Sequence, residues 1–190
     1  MKCLINSVFF AICLFAFPNL IYGKTIEPQI GHPLPDITLK IPDDDVHRTY
    51  LGLKGSDSFQ IPQIRSRVVI IEIFSMYCPH CQRHAPSVNQ LYQRIQKSGD
   101  FRDKIKIIGI GAGNSPFEVD FFRKSYAIPF PLFPDTDLSI HDKIGQVLTP
   151  YFIAVRIEPD GTNRIVYTQL GGFNNPDNFL DTIVKRSGLK

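Results

Sequence analysis

One stretch limits the possible folds of this chain more than any other. Val68 to Phe74 (VVIIEIF) runs directly, after three residues, into Cys78-Pro79-His80-Cys81. A continuous, mostly β-branched run without alternation predicts a strand buried on both faces, at a central position in a sheet. From Pro79 to Ser98, Ala85, Val88, Leu91, Tyr92 and Ile95 recur at helical spacing and predict an amphipathic helix, which Pro86 is expected to kink. A buried strand feeding such a helix is half of a βαβ unit, so the chain needs more strands and helices to cover both faces of a sheet.

The remaining sequence supplies them. Residues 24–35 are rich in Pro and Gly and read as a leader into the domain. Asp36 to Ile41 alternates as a strand, Pro42 to Asp45 reads as a turn, Arg48 to Leu53 as a second short strand and Gly55 to Ser58 as a loop. Lys104 to Ile110 predicts a buried strand that ends in the turn Gly111-Ala112-Gly113-Asn114. Pro116 opens a helix to about Tyr126, Leu132-Phe133 is a short strand, and Leu138 to Ile144 is a short helix. Tyr151 to Ile157 and Asn163 to Leu170 read as an antiparallel hairpin around Glu158-Pro159-Asp160-Gly161. Asn175-Pro176 starts a last helix to about Arg186, with Gly188 near its end. The order predicts an α/β fold whose central mixed β-sheet is parallel first and antiparallel last, with helices on both faces.

The N-terminus reads as an address. Lys2 is followed by the apolar run Val8 to Phe17, which Pro18 and Asn19 break, and Gly23 offers a small residue for cleavage. Ten apolar residues match a signal-peptide core and fall short of the roughly 20 that a spanning helix needs. Leu4 to Tyr22 as an uncleaved membrane anchor is the alternative. The expected organisation is residues 1–23 as signal peptide and 24–190 as one domain, exported to a periplasmic or other extracytoplasmic space. Lys and Arg number 21 against 18 Asp and Glu, a net +3 that gives no reason to expect nucleic acid as a partner.

Export sorts the four cysteines. Cys3 and Cys13 belong to the leader, which leaves Cys78 and Cys81 as the thiols of the mature chain, in a compartment where disulfides persist. Cys78 falls at the helix N-cap and Pro79 at its first residue. There the unpaired N–H groups and the helix dipole stabilise a thiolate, and His80 is expected to add a donor or a cation beside the same sulfur. Cys81, one turn on, can resolve a mixed disulfide formed at Cys78. A static Cys78–Cys81 staple is the other reading, but so short a loop restrains the unfolded chain little. Cys78, Cys81 and His84 lack the fourth ligand of a zinc site, and Gln82 stands where covalent haem attachment needs His. Glu72, a lone carboxylate inside the buried strand, is expected to have a raised pKa and to shuttle the Cys81 proton; a solvated edge or a basic partner is the bland alternative. Thr149-Pro150, just before a strand, is a candidate cis bond. Phe117, Phe121, Phe122, Phe130 and Phe133 read as core rather than as a docking surface.

These residues resemble the thioredoxin superfamily. Glu72 to Cys81 is similar to the DsbA strand and Cys-Pro-His-Cys motif. Gly31-His32-Pro33-Leu34-Pro35-Asp36, Thr149-Pro150 and Asp160-Gly161 resemble the TlpA/ResA-type redoxins. The 68 residues from 82 to 149 leave no room for the helical insertion of DsbA. The resemblance covers residues 31 to about 187. It implies a thioredoxin-like fold, a nucleophilic Cys78, a resolving Cys81, a buried acid at Glu72 and a cis-Pro150 facing the cysteines, with Thr149 offering its backbone to a substrate strand. Tyr77 stands where many members carry Trp. The implied activity is thiol–disulfide exchange, without cofactor or metal, on partner proteins with thiols or disulfides. A membrane donor would feed a reductase of this kind, as in cytochrome c maturation. A DsbA-type dithiol oxidase, a peroxiredoxin-like peroxidase and a copper-delivery protein using Cys78, Cys81 and His141 are the rivals. The peroxidase pattern finds Ser75 but has Ile71 in place of its Pro. The copper proteins usually space their cysteines by three residues. His32, His47, His84 and His141 otherwise read as surface residues.

Overall fold

A computed structural model describes residues 27–55 and 57–189. The expected leader, residues 1–23 with Cys3 and Cys13, lies outside the described residues. In chain order the elements are β1 (Thr38–Lys40), α1 (Asp45–Leu51), β2 (Ser58–Gln60), β3 (Val68–Phe74), α2 (Pro79–Lys97), β4 (Ile105–Ala112) and α3 (Pro116–Ser125). They continue with β5 (Leu132–Asp135), α4 (Ser139–Lys143), β6 (Tyr151–Ile157), β7 (Asn163–Leu170) and α5 (Pro176–Ser187).

β3 is the middle strand of a five-stranded sheet ordered β5-β4-β3-β6-β7. β3, β4 and β5 are parallel, β6 runs antiparallel to β3, and β7 antiparallel to β6. All seven β3 residues are buried, which is why the run lacks polar alternation. Val69, Ile71 and Ile73 pack with Leu34, Ile37, Leu39, Ile41, Leu51 and Phe59 on one face. Val68, Ile70 and Phe74 pack on the other with Ala85, Val88 and Leu91 of α2, Phe122 of α3 and Phe179 and Ile183 of α5. Glu72 is in phase with the second set, so the strand period of two aims it at the α2 side.

The expected mixed sheet with both faces covered is the observed one. The stretch expected as a strand from Arg48 to Leu53 is instead α1. The Asp44 side chain accepts the His47 N–H as N-cap, and Gly52, at φ 68°, closes the C-terminus through its N–H to the Arg48 and Thr49 carbonyls. β2 begins inside the expected Gly55–Ser58 loop and pairs antiparallel with β1. β4 runs on through Gly111 and Ala112, so the turn that follows it is narrower than expected. α2 continues through Pro86 as one element.

Candidate active site

The site lies where β3 gives way to α2. Ser75 to Cys78 closes a turn, with the Cys78 N–H donating to the Ser75 carbonyl at 3.0 Å. Cys78 is the N-cap of α2, and Pro79 the first helical residue, where its missing N–H costs nothing. The Cys78 sulfur accepts the Cys81 N–H at 3.2 Å and lies 3.3 Å from the Thr149 carbonyl oxygen, to which its thiol donates. The Thr149–Pro150 bond is cis. The Pro150 carbonyl accepts the Gly171 N–H at 2.8 Å, which ties this loop to the end of β7. Cys78 is half-buried and Cys81 fully buried, and both are free thiols.

The two sulfurs differ in acidity. Burial alone would raise the Cys78 thiol; hydrogen bonds from Cys81, the Thr149 side chain and the backbone N–H groups of Cys81 and His80 outweigh it, so Cys78 lies below its ordinary value. Burial pushes the Cys81 thiol far up, and its hydrogen bond to Cys78 and the charges of Cys78 and Glu72 add to the rise. Burial also lifts the Glu72 carboxyl from 4.5 to about 8. Glu72 is flanked in the sheet by Gly109 and Phe152 and is only 3% exposed. The arrangement is an accessible, acidified thiol in front, a protonated thiol behind it, and a buried carboxyl on the same side of the sheet that can exchange a proton near neutral pH.

Cys78, Cys81, Glu72, Thr149 and Pro150 are therefore brought together. His80 differs from expectation: it reaches the sulfur through its backbone N–H, while its exposed imidazole meets Arg83 at 3.0 Å. The histidines expected on the surface are mostly engaged. His84 Nε2 accepts the Phe173 N–H at 3.2 Å, its ring packs against Phe152 and Phe173, and burial lowers its pKa. His141 Nε2 lies 2.8 Å from the Val147 carbonyl, and His47 pairs with Asp44; His32 alone of the four is exposed. No group of three or more His, Cys, Asp or Glu among the described residues could hold a metal ion. Of the five phenylalanines expected in the core, Phe122, Phe130 and Phe133 are there, but Phe117 and Phe121 are 77% and 53% exposed on α3.

Sequence reasoning missed two polar groups of the site. Glu118 accepts a hydrogen bond from the Tyr77 hydroxyl and also caps α3 through the Ser115 N–H. Asn114 is completely buried beside the β3–α2 loop. The Ser115-x-x-Glu118 capping box was a visible signal for the first. Nothing in the sequence announced the second beyond the turn that holds it.

Comparison with known proteins fits this geometry. Residues 30–163 match the AhpC/TSA family. Among curated relatives, the thiol–disulfide oxidoreductase ResA of Halalkalibacterium halodurans is 25% identical over 129 residues, 67% of this chain and 68% of that protein. The ResA of Geobacillus thermodenitrificans is 22% identical over 154 residues, 79% of this chain and 75% of that protein. Among solved structures, a putative thiol:disulfide interchange protein DsbE from Chlorobium tepidum superposes with a TM-score of 0.62 at 14% identity, covering 85% of this chain and 100% of that one. The structural likeness shows a thioredoxin-like fold.

Proposed function

Starting from the fact that the chain belongs to the AhpC/TSA family and is a TlpA/ResA-like thiol–disulfide oxidoreductase, we propose that Cys78 and Cys81 are its redox pair and that it acts outside the cytoplasm on disulfides of partner proteins. The observation that carries this reading is the placement of the two thiols: Cys78 half-exposed at the N-cap of α2, accepting the Cys81 N–H at 3.2 Å and 3.3 Å from the Thr149 carbonyl, with Cys81 buried behind it.

In the reducing direction the Cys78 thiolate attacks one sulfur of a partner disulfide. A Cys78–partner disulfide forms, and the first partner thiolate leaves. Cys81 then gives its proton to the Glu72 carboxylate and attacks Cys78, so that the internal disulfide forms and the second partner thiolate departs. The partner gains two electrons and the chain loses two. A membrane donor would restore the dithiol, as in cytochrome c maturation. The leader at residues 1–23 supports export.

The dithiol-oxidase direction is favoured by one observation. Several hydrogen bonds stabilise reduced Cys78, and a stabilised thiolate makes a couple more oxidising. Titration of the pair against glutathione separates the two readings. A potential near that of thioredoxin, about −270 mV, supports reduction of partners; one near that of DsbA, about −120 mV, supports oxidation. Activity itself is tested by insulin reduction, which Cys78→Ser should abolish. Full activity in Cys78→Ser, or peroxide consumption without any disulfide exchange, would refute the reading.

A further inference from the structure

Cys78 is carried off the end of β3 by three residues, and the middle one is gripped from two sides. The Met76 N–H donates to Asn114 Oδ1 at 2.8 Å, and the Met76 carbonyl accepts from Gln82 Nε2 at 2.7 Å. Asn114 Nδ2 also reaches Ser75 Oγ at 3.4 Å. The two amides come from different elements, Gln82 from the second turn of α2 and Asn114 from the turn that follows β4.

Asn114 is placed with some care. Its N–H donates to the Gly111 carbonyl at 3.1 Å, and its carbonyl accepts the Thr136 hydroxyl at 3.2 Å. A Cβ on Gly111 would stand 3.1 Å from Cβ and Oδ1 of Asn114 and 2.9 Å from a Val119 methyl, so the glycine clears the space that the amide occupies. Gly113, at φ 65°, lets the chain turn there. A fully buried amide is costly unless its hydrogen bonds are made, and the principal bond of this one is to the loop that leads to Cys78.

We propose that Asn114, with Gln82 as its counterpart, is a positioning residue for Cys78. Together they fix the two peptide groups that flank Met76, and through them the Ser75–Cys78 turn and the direction in which the Cys78 sulfur faces the Cys81 N–H and Thr149. The role rests on the reading of Cys78 as the attacking thiol, and both residues act through the backbone.

The test is the rate of Cys78 alkylation in the fully reduced protein as a function of pH, for wild type, Asn114→Ala and Gln82→Ala. Loosening the loop weakens the hydrogen bonds that acidify Cys78. Both variants should therefore titrate at higher pH, by about half a unit or more for Asn114→Ala. A folded Asn114→Ala whose profile superimposes on wild type, whatever its loss of stability, would overturn the proposal. Should Asn114→Ala fail to fold, Gln82→Ala decides: its side chain is only half-buried, and an unshifted profile overturns the proposal equally. Alkylation reads the thiol and not the exchange reaction. A wild-type protein inert towards insulin but shifted by Asn114→Ala would retire the proposed function and keep the positioning role.

Discussion

Glu72 is the residue on which chemistry and stability pull in opposite directions. Its carboxyl has no hydrogen-bond or ion-pair partner among the described residues, and burial raises it from 4.5 to about 8. Below about pH 4.5 the group is protonated in both the folded and unfolded chain and carries no penalty. Between 4.5 and about 8 the folded chain holds a proton that the unfolded chain releases, so stability falls as pH rises, and it levels off above that window. The ceiling on the loss is about 5 kcal/mol. Glu72→Gln should leave the urea midpoint unchanged at pH 4 and raise it at pH 9. The same variant should slow resolution of the mixed disulfide by about 100-fold or more and remove its rise with pH through about 8. Resolution rates equal to wild type from pH 6 to 9 would take the proton transfer away from Glu72. The position of this residue was legible because a charge inside a β-branched run stands out. His80 was legible only in part: the motif put it near the sulfur, but which of its groups faces inward depends on the neighbouring Arg83, one turn along α2. Asn114 was not legible at all, since its burial follows from how β4 and β3 end side by side.

At the scale of elements, α1 shows why a short amphipathic stretch defeats periodicity. Seven residues hold too few apolar positions to separate a period of 2 from one of 3.6, and the deciding signals are the caps, Asp44 and Gly52. Gly52 lies at φ 68°, and a Cβ there would come 2.5 Å from the Arg65 Cβ. Gly52→Ala should cost about 1–2 kcal/mol in denaturant unfolding, and Asp44→Ala about 1 kcal/mol. Equal midpoints for Gly52→Ala and wild type would mean that α1 ends differently. The long elements were legible because β3, β6 and β7 each carry a clear pattern bounded by turn residues. β2 was lost because three residues paired only with β1 carry little pattern of their own. On α3, Val119 and Phe122 are the buried residues. Phe117 and Phe121 sit on the outer face of the same helix, where aromatic content alone is a poor guide to burial.

The molecule as a whole is arranged around one strand-to-helix junction. β3 occupies the centre of the sheet, so its C-terminal end lies beside the ends of β4 and the start of β6. Loops beside both converge on Cys78: the turn after β4, whose Asn114 holds Ser75–Tyr77 at the end of β3, and Thr149–Pro150 before β6, held by Gly171. A thiol acidified by that convergence should act first, and a buried thiol behind it should act second. That order is the central claim, and trapping the intermediate tests it most directly. Each single cysteine variant would be reduced, mixed with a disulfide-bonded peptide and followed by intact mass. Cys81→Ser should accumulate one peptide adduct, mapped to Cys78, while wild type passes through to its internal disulfide and Cys78→Ser stays unmodified. An adduct formed as readily on Cys81 in Cys78→Ser, or no adduct on Cys78 in Cys81→Ser, would contradict it.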